Sequence, residues 1–379
     1  MPLERVTCHL VELPLVHPFQ TSFGKEQRRR ALLVQVSGEG AQGWGECVAS
    51  SGPWYSYETV DTALLVIREF LLPLLAQARL SHPTQLQQVF APVRGHPMAK
   101  AAVEAAVWDL YCRLKGVPLW RELGGVRDEV TAGVSIGIQP TIPELLARIH
   151  AFVDQGYPRV KLKVKPGWDI AVLEAVREEF PGIALQVDAN CAYRPGDPTL
   201  REFDRFGLLL LEQPFHYQDL LEHARLAREI DTPVCLDESI TSPHRAREAL
   251  ELKACSVMNV KQGRVGGLTP AVEIHELARG QGVPVWCGGM LETGVGRAVN
   301  VALATLPGFT LPNDISATDR YFQEDIAEPP FELTPRGTIP VPQGPGLGVE
   351  VVPQCLRRHR LQCWEFSLKD FRSPGPLRG

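Results

Sequence analysis

Val160-Lys161-Leu162-Lys163, Leu185-Gln186-Val187-Asp188, Leu209-Leu210-Leu211-Glu212, Val234-Cys235-Leu236-Asp237 and Val257-Met258-Asn259-Val260-Lys261 decide the fold. Each is a short apolar run closed by an ionisable residue. The closing positions 163, 188, 212, 237 and 261 are separated by 25, 24, 25 and 24 residues. That spacing is the length of a strand, a helix and their loops in a parallel α/β repeat. Charge scattered over a surface has no reason to keep such a period. The pattern predicts a parallel barrel whose ionisable residues gather at the C-terminal ends of its strands, where such barrels hold their active sites.

Working outward, eight strands are expected near 130–136, 160–164, 184–188, 208–212, 234–237, 257–261, 283–287 and 309–311. Amphipathic stretches at 142–155, 170–180, 220–230 and 268–280 fill intervals between them. Pro195-Gly196-Asp197-Pro198 delays the helix after the third strand. Residues 1–128 read as α+β, with strands at 5–15, 31–36 and 42–48 and helices near 57–72, 83–90 and 98–115. Ser37-Gly38-Glu39-Gly40 reads as a hairpin turn in which Gly38 and Gly40 supply positive φ. The expected organisation is a capping domain over 1–128, a barrel over 129–317, a return to the cap over 318–352 through strands near 331–333 and 347–352, and a partly ordered tail over 353–379.

The composition restricts the class. With 379 residues the chain exceeds the usual single-core size, and 44% hydrophobic and 22% charged residues are ordinary for a soluble globular protein. A net charge of −5 offers nucleic acid no electrostatic reason to bind. Met1-Pro2-Leu3-Glu4-Arg5 does not open a signal peptide, and no apolar run approaches the roughly 18 residues of a membrane span. Nine cysteines without a CxxC pair suit free thiols in a reducing cytosol. A cytoplasmic enzyme with no nucleic-acid or membrane partner is the expectation.

Counting strands turns the period into geometry. The lysines close the second and sixth strands, which face each other across an eight-stranded ring, and Asp188, Glu212 and Asp237 close the three strands between. Three carboxylates in register offer only oxygen, the donor type for a hard dication such as Mg²⁺ or Mn²⁺, which also relieves their mutual repulsion. Lys161 and Lys163, two apart on one strand, share a face, so a second ammonium lies beside the candidate base Lys163. Glu238, next to Asp237, is placed to orient Lys261 or to cap a helix. A metal between two lysines suits removal of a proton beside a carboxylate and stabilisation of the resulting enediolate. A catalytically silent barrel serving as a binding scaffold would be expected to lack one of these groups, and none is missing.

These residues resemble the muconate-lactonizing-enzyme-like subgroup of the enolase superfamily, a likeness that spans nearly the whole chain. It rests on Lys161-Leu162-Lys163, Asp188-Ala189-Asn190, Glu212-Gln213-Pro214, Asp237-Glu238-Ser239 and Lys261. The resemblance implies a modified TIM barrel, (β/α)₇β, under an N-terminal cap completed by the C-terminal segment. It also implies metal ligation by Asp188, Glu212 and Asp237, catalysis by Lys163 and Lys261, support from Asn190, and self-association into a homo-oligomer. Within the subgroup, Pro166-Gly167-Trp168-Asp169, Gly288-Gly289-Met290-Leu291-Glu292 and Asp314-Ile315-Ser316-Ala317 are similar to o-succinylbenzoate synthases and N-acylamino acid racemases. The first would dehydrate a succinyl-bearing cyclohexadiene carboxylate and the second would invert an α-carbon. The chain departs from relatives at Cys191 and Asn313, on the edge of the site. Substrate choice is expected from cap loops 19–23 and 50–57, with Phe19, Ser50, Ser135, Met290 and Leu291 lining the pocket for a small carboxylate substrate.

Overall fold

The computed structural model describes residues 1–21 and 24–371. The cap is built on strands β1 (Arg5–Gln20), β2 (Lys25–Gly38) and β3 (Ala41–Cys47), an antiparallel meander backed by the helix Pro97–Lys115. The β2–β3 turn is a two-residue loop, so the left-handed positions fall on Glu39 (φ +51°) and Gly40 (φ +77°) rather than on Gly38. Gly38 is required for space instead: a Cβ there would stand 2.3 Å from the Pro2 carbonyl oxygen.

Residues 129–131 and 134–136, expected as one strand, form two: β4 (Glu129–Thr131) and β5 (Val134–Ile136). The break is at Gly133, where a Cβ would lie 2.4 Å from the buried Arg159 guanidinium carbon. From β5 onward the strands run parallel and in chain order: β6 (Arg159–Lys163), β7 (Ala184–Asp188), β8 (Leu210–Glu212), β9 (Val234–Leu236), β10 (Val257–Val260) and β11 (Val285–Cys287). Lys163 pairs in register with Asp188, and Asp188 with Glu212, so the charged ends stand side by side.

The expected eighth strand contributes only a bridge from Phe309 to Val285. An irregular segment closes the ring instead. Val285 N donates to Gly308 O (3.1 Å) and Asp314 N to Cys287 O (2.8 Å), while Asn313 N donates to Thr131 O (3.0 Å) and Ser316 Oγ to Gly133 O (2.9 Å). The barrel is filled by Leu210, Cys235, Val257 and Trp286, all buried, with Leu311 packed against them.

The C-terminal part departs from the expectation. Strands β12 (Ala327–Glu328), β13 (Thr338–Pro340) and β14 (Glu350–Val351) are short. β12 pairs with β14 and β13 with β4, so none joins the cap sheet. Residues 353–371, read as part of a tail, instead form the helix Pro353–His359, β15 (Arg360–Ser367) and a short helical turn, Leu368–Phe371. β15 lies antiparallel to β1, from Arg5 opposite Ser367 to Leu10 opposite Gln362, and so completes the cap sheet. It is an edge strand whose side chains are mostly exposed or half-buried, so it carries no apolar run to betray it. Residues 372–379 lie outside the described part.

Two buried cap carboxylates fasten cap to barrel. Glu46 on β3 accepts from Thr293 N and Oγ and from Gly296 N, at the start of the helix Gly294–Ala304. Glu104, on the long cap helix, accepts from Leu268 N and Thr269 N at the start of the helix Leu268–Gly280. Each places carboxyl oxygens, as acceptors, at the positive end of a helix dipole. Gly267 makes the second contact possible, since its φ is +130° and a Cβ there would clash with the Glu104 carboxylate.

Burial pushes the Glu104 carboxyl up to about 7, against hydrogen bonds that pull it down. The folded carboxyl then keeps its proton up to about pH 7, whereas the unfolded chain sheds it near 4.5. Its contribution to stability is therefore full below the lower value and fades as pH rises through the higher one. Glu104→Gln is expected to flatten the fall of melting temperature between about pH 5 and about pH 8. A slope equal to that of the parent protein would show the carboxylate ionised throughout.

Candidate active site

The period in the sequence becomes a ring of buried charge. On β6 the alternation Arg159-Val160-Lys161-Leu162-Lys163 sends three cations to one face of the strand. Lys163 Nζ lies 2.6 Å from Asp188 Oδ2 and 2.7 Å from Asn190 Oδ1. Lys161 Nζ reaches Asp314 Oδ2 (2.6 Å), Glu212 Oε2 (2.9 Å) and Asp188 Oδ2 (3.3 Å). Lys261, following β10, donates to Asp237 Oδ2 (2.8 Å) and to the Tyr55 hydroxyl (3.2 Å). Arg264 pairs with the other Asp237 oxygen, and Asn259 Nδ2 donates to Glu212 Oε1 at 2.7 Å.

The backbone is constrained where the chemistry sits. Asn190, Cys191, Gln213 and Leu291 adopt left-handed φ of +42°, +64°, +41° and +59°. Non-glycine residues hold that conformation only where surrounding contacts impose it. At Gln213 the contacts are visible: its side-chain oxygen accepts from Asp237 N and Ser239 N, which ties the end of β8 to the turn after β9.

Burial raises the cost of every charge here, and neighbours decide the outcome. For Asp188, burial pushes the carboxyl up, but Lys163 and Lys161 together hold it well below the usual range. For Glu212, burial and then Asp188 win, and its carboxyl is raised. Burial disfavours the Lys161 ammonium, yet Asp314, Glu212 and Asp188 hold it above the ordinary lysine range. Burial and then Asp188 push Glu238 up to about 7.

One expected role changes. Glu238 does not hydrogen-bond to Lys261: its Oε1 accepts from Asn190 Nδ2 (2.9 Å), and Asn190 in turn accepts from Lys163. Glu238 therefore supports the Lys163 side, because the turn after β9 swings it across the mouth toward β7. Lys161 does stand beside Lys163, both ammonium groups meeting Asp188 Oδ2, and it is held there by Glu212 and Asp314 as well. Among the described residues no three acidic, His or Cys side chains gather around one point, because lysines and Arg264 stand between Asp188, Glu212 and Asp237 as counter-charges. The residues nonetheless fit a hard dication. The donors are all carboxylate oxygen at successive strand ends, and Asp188 and Glu212 stand side by side in register.

A cavity of about 350 Å³ opens above this ring, lined by Phe19, Ser50, Ser135, Met290 and Leu291 together with Lys161, Lys163 and Lys261. All five pocket residues expected from the sequence border it. Of the cap loop 19–23, Ser22 and Phe23 lie outside the described residues. Sequence reading missed Tyr55, Asn259, Arg264 and Arg159, and named Asp314 only as part of a motif. Arg159 was open to detection, because it continues the every-second-residue cation pattern of β6. Tyr55 had no such signal: it comes from the cap, and its ring lies 4.6 Å from Lys261 Nζ.

A capped parallel barrel with acids and lysines at its strand ends defines a class of barrel enzyme. Residues 5–124 match the Mandelate racemase / muconate lactonizing enzyme N-terminal domain and residues 144–355 the Enolase C-terminal domain-like family, and the chain belongs to this enolase superfamily. An o-succinylbenzoate synthase of Geobacillus kaustophilus is 50% identical over 94% of this chain and 96% of its own. An N-succinylamino acid racemase of an Amycolatopsis species is also 50% identical, over 94% and 97%. A solved enolase-superfamily structure from Listeria innocua superposes with a TM-score of 0.94 at 41% identity, covering 97% of this chain and all (100%) of that one.

Asp237 neutralises two buried cations, Lys261 and Arg264. In metal-free protein Asp237→Ala is expected to destabilise the fold by about 3–5 kcal/mol, since it leaves buried charge unpaired. Urea unfolding in the presence of a chelator measures this, and a loss under about 1 kcal/mol would show that the cations find other partners.

Proposed function

We propose that this enzyme is a Mg²⁺-dependent o-succinylbenzoate synthase, removing water from a succinyl-bearing hydroxycyclohexadiene carboxylate to give 2-succinylbenzoate for menaquinone synthesis. The observation that carries the reading is the pair of lysines, Lys163 on β6 and Lys261 after β10, set across a ring of buried acids. The synthase of Geobacillus kaustophilus, half-identical over nearly full length, supports the substrate assignment. We place the protein in the cytoplasm, acting as a homo-oligomer; no helix among the described residues is long and apolar enough to cross a membrane.

Asp188, Glu212 and Asp237 would hold the metal, which supplies positive charge to the substrate carboxylate as its α-carbon loses a proton. Lys163 Nζ, oriented by Asn190 and through it by Glu238, takes that proton. The C–H electron pair becomes the new ring double bond as the C–O bond breaks, and Lys163 returns the proton to the departing hydroxyl, which leaves as water. Lys261, beneath the Tyr55 hydroxyl, keeps its positive charge on the opposite side and stabilises the anion.

A second reading is N-succinylamino acid racemisation, in which Lys163 and Lys261 exchange protons with opposite faces of one α-carbon. The equally similar Amycolatopsis racemase favours it. Assays for 2-succinylbenzoate formation and for N-succinylamino acid racemisation on one preparation separate the two. The synthase reading expects the higher kcat/KM for dehydration, and a value far higher for racemisation overturns it. Lys163→Ala is expected to lower solvent deuterium exchange at the α-carbon by at least about 10³-fold. Exchange at the parent rate would remove Lys163 as the base. Tyr55→Phe, which keeps the ring over Lys261 but removes a hydroxyl that donates to Asp237 and accepts from Lys261 and Arg264, is expected to lower kcat by about 10- to 100-fold.

A further inference from the structure

We propose that Asp314 is a positioning residue that sets metal affinity without touching the metal, by pinning Lys161 beneath the carboxylates of Asp188 and Glu212. The inference rests on the metal reading above. Lys161 Nζ lies within ion-pair reach of three acids from three separate elements, hydrogen-bonding to Glu212 (2.9 Å) and making its shortest contact, 2.6 Å, with Asp314. Asp314 is the one partner of the three outside the expected ligand set, so it is the one that stays when a dication claims Asp188 and Glu212.

Asp314 is itself held fast. Its Oδ1 accepts from Arg159 Nη1 at 2.7 Å and from Ser135 Oγ at 3.1 Å, and its backbone N–H closes the barrel against Cys287 O. The Trp286 ring lies 4.7 Å from the Lys161 ammonium and takes up space a swinging side chain would need. Lys161 is thus a fixed strut. It binds one Glu212 oxygen while Asn259 binds the other, which fixes the orientation of that carboxylate before any metal arrives. Without Asp314 the flexible lysine stem is free to turn into the cavity that Lys161 already borders. It would leave Glu212 and Asp188 unoriented.

The test is Mg²⁺ binding to the whole protein, by calorimetry and by the Mg²⁺-dependent rise in melting temperature, for the parent, Asp314→Asn, Lys161→Gln and the double variant. Asp314→Asn is expected to weaken Mg²⁺ binding by about 10- to 100-fold, with turnover largely restored at saturating Mg²⁺. In the Lys161→Gln background it is expected to have no further effect, a non-additivity that a merely structural role would not produce. Mg²⁺ affinity within about twofold of the parent in Asp314→Asn, or full additivity in the double variant, overturns the proposal. If Asp314→Asn does not fold, Ser135→Ala removes one of its restraints and is expected to weaken Mg²⁺ a few-fold, and unchanged affinity there overturns the proposal equally. A parent protein that does not bind Mg²⁺ at all overturns the metal reading itself, which separates the two failures.

Discussion

Charge buried at the mouth of the barrel is the constraint on which the rest of the molecule depends. An isolated carboxylate or ammonium at these positions would cost several kcal/mol, and Asp188, Glu212, Asp237 and Asp314 persist because each has opposite charge within hydrogen-bond reach. The pairing is not a set of independent bridges. Asp188 is shared by Lys161 and Lys163, Lys161 is shared by three acids, and Asp237 by Lys261 and Arg264. Such a network holds its members in place before any ligand arrives, the condition under which electrostatic stabilisation of a developing anion costs least reorganisation.

Holding that network demands a rigid frame, and the sequence supplies it unevenly. Seven strands form a regular parallel sheet, but the eighth position is filled by an irregular segment whose Asp314 reaches into the charge ring. A ladder of backbone bonds would have been the more economical closure. The segment gives up regularity and places instead a carboxylate, with Arg159 and Ser135 around it, against Lys161. The cap is fixed by the same logic. Glu46 and Glu104 place carboxylates on barrel helix termini, and the cap thereby delivers Tyr55 to Lys261.

Where the chain's local pattern and its tertiary demand agree, the sequence was legible. The strands ending at Lys163, Asp188 and Glu212 and the runs before Asp237 and Lys261 read directly, because an apolar strand buried on both faces and closed by a charge is an unusual local pattern. Residues such as Tyr55 and Arg264 were hidden, since a lone aromatic in a cap loop and a lone arginine in a short helix are locally unremarkable. β15 was hidden for the opposite reason. Its arginines and polar residues belong to an exposed edge, and its pairing with β1, more than three hundred positions earlier, leaves no local trace.

By itself the sequence determined the repeat, the identity of the ionisable residues and the order in which they meet round the barrel, because strand period and chain order are local properties. Only the tertiary structure decided which charge each one answers. It drew Lys161 down to Asp314, turned Glu238 toward Asn190, and closed the ring with a loop in place of a strand. The physical reason is that pairing in a buried site follows distance through space at low dielectric, and distance along the chain carries no information about it.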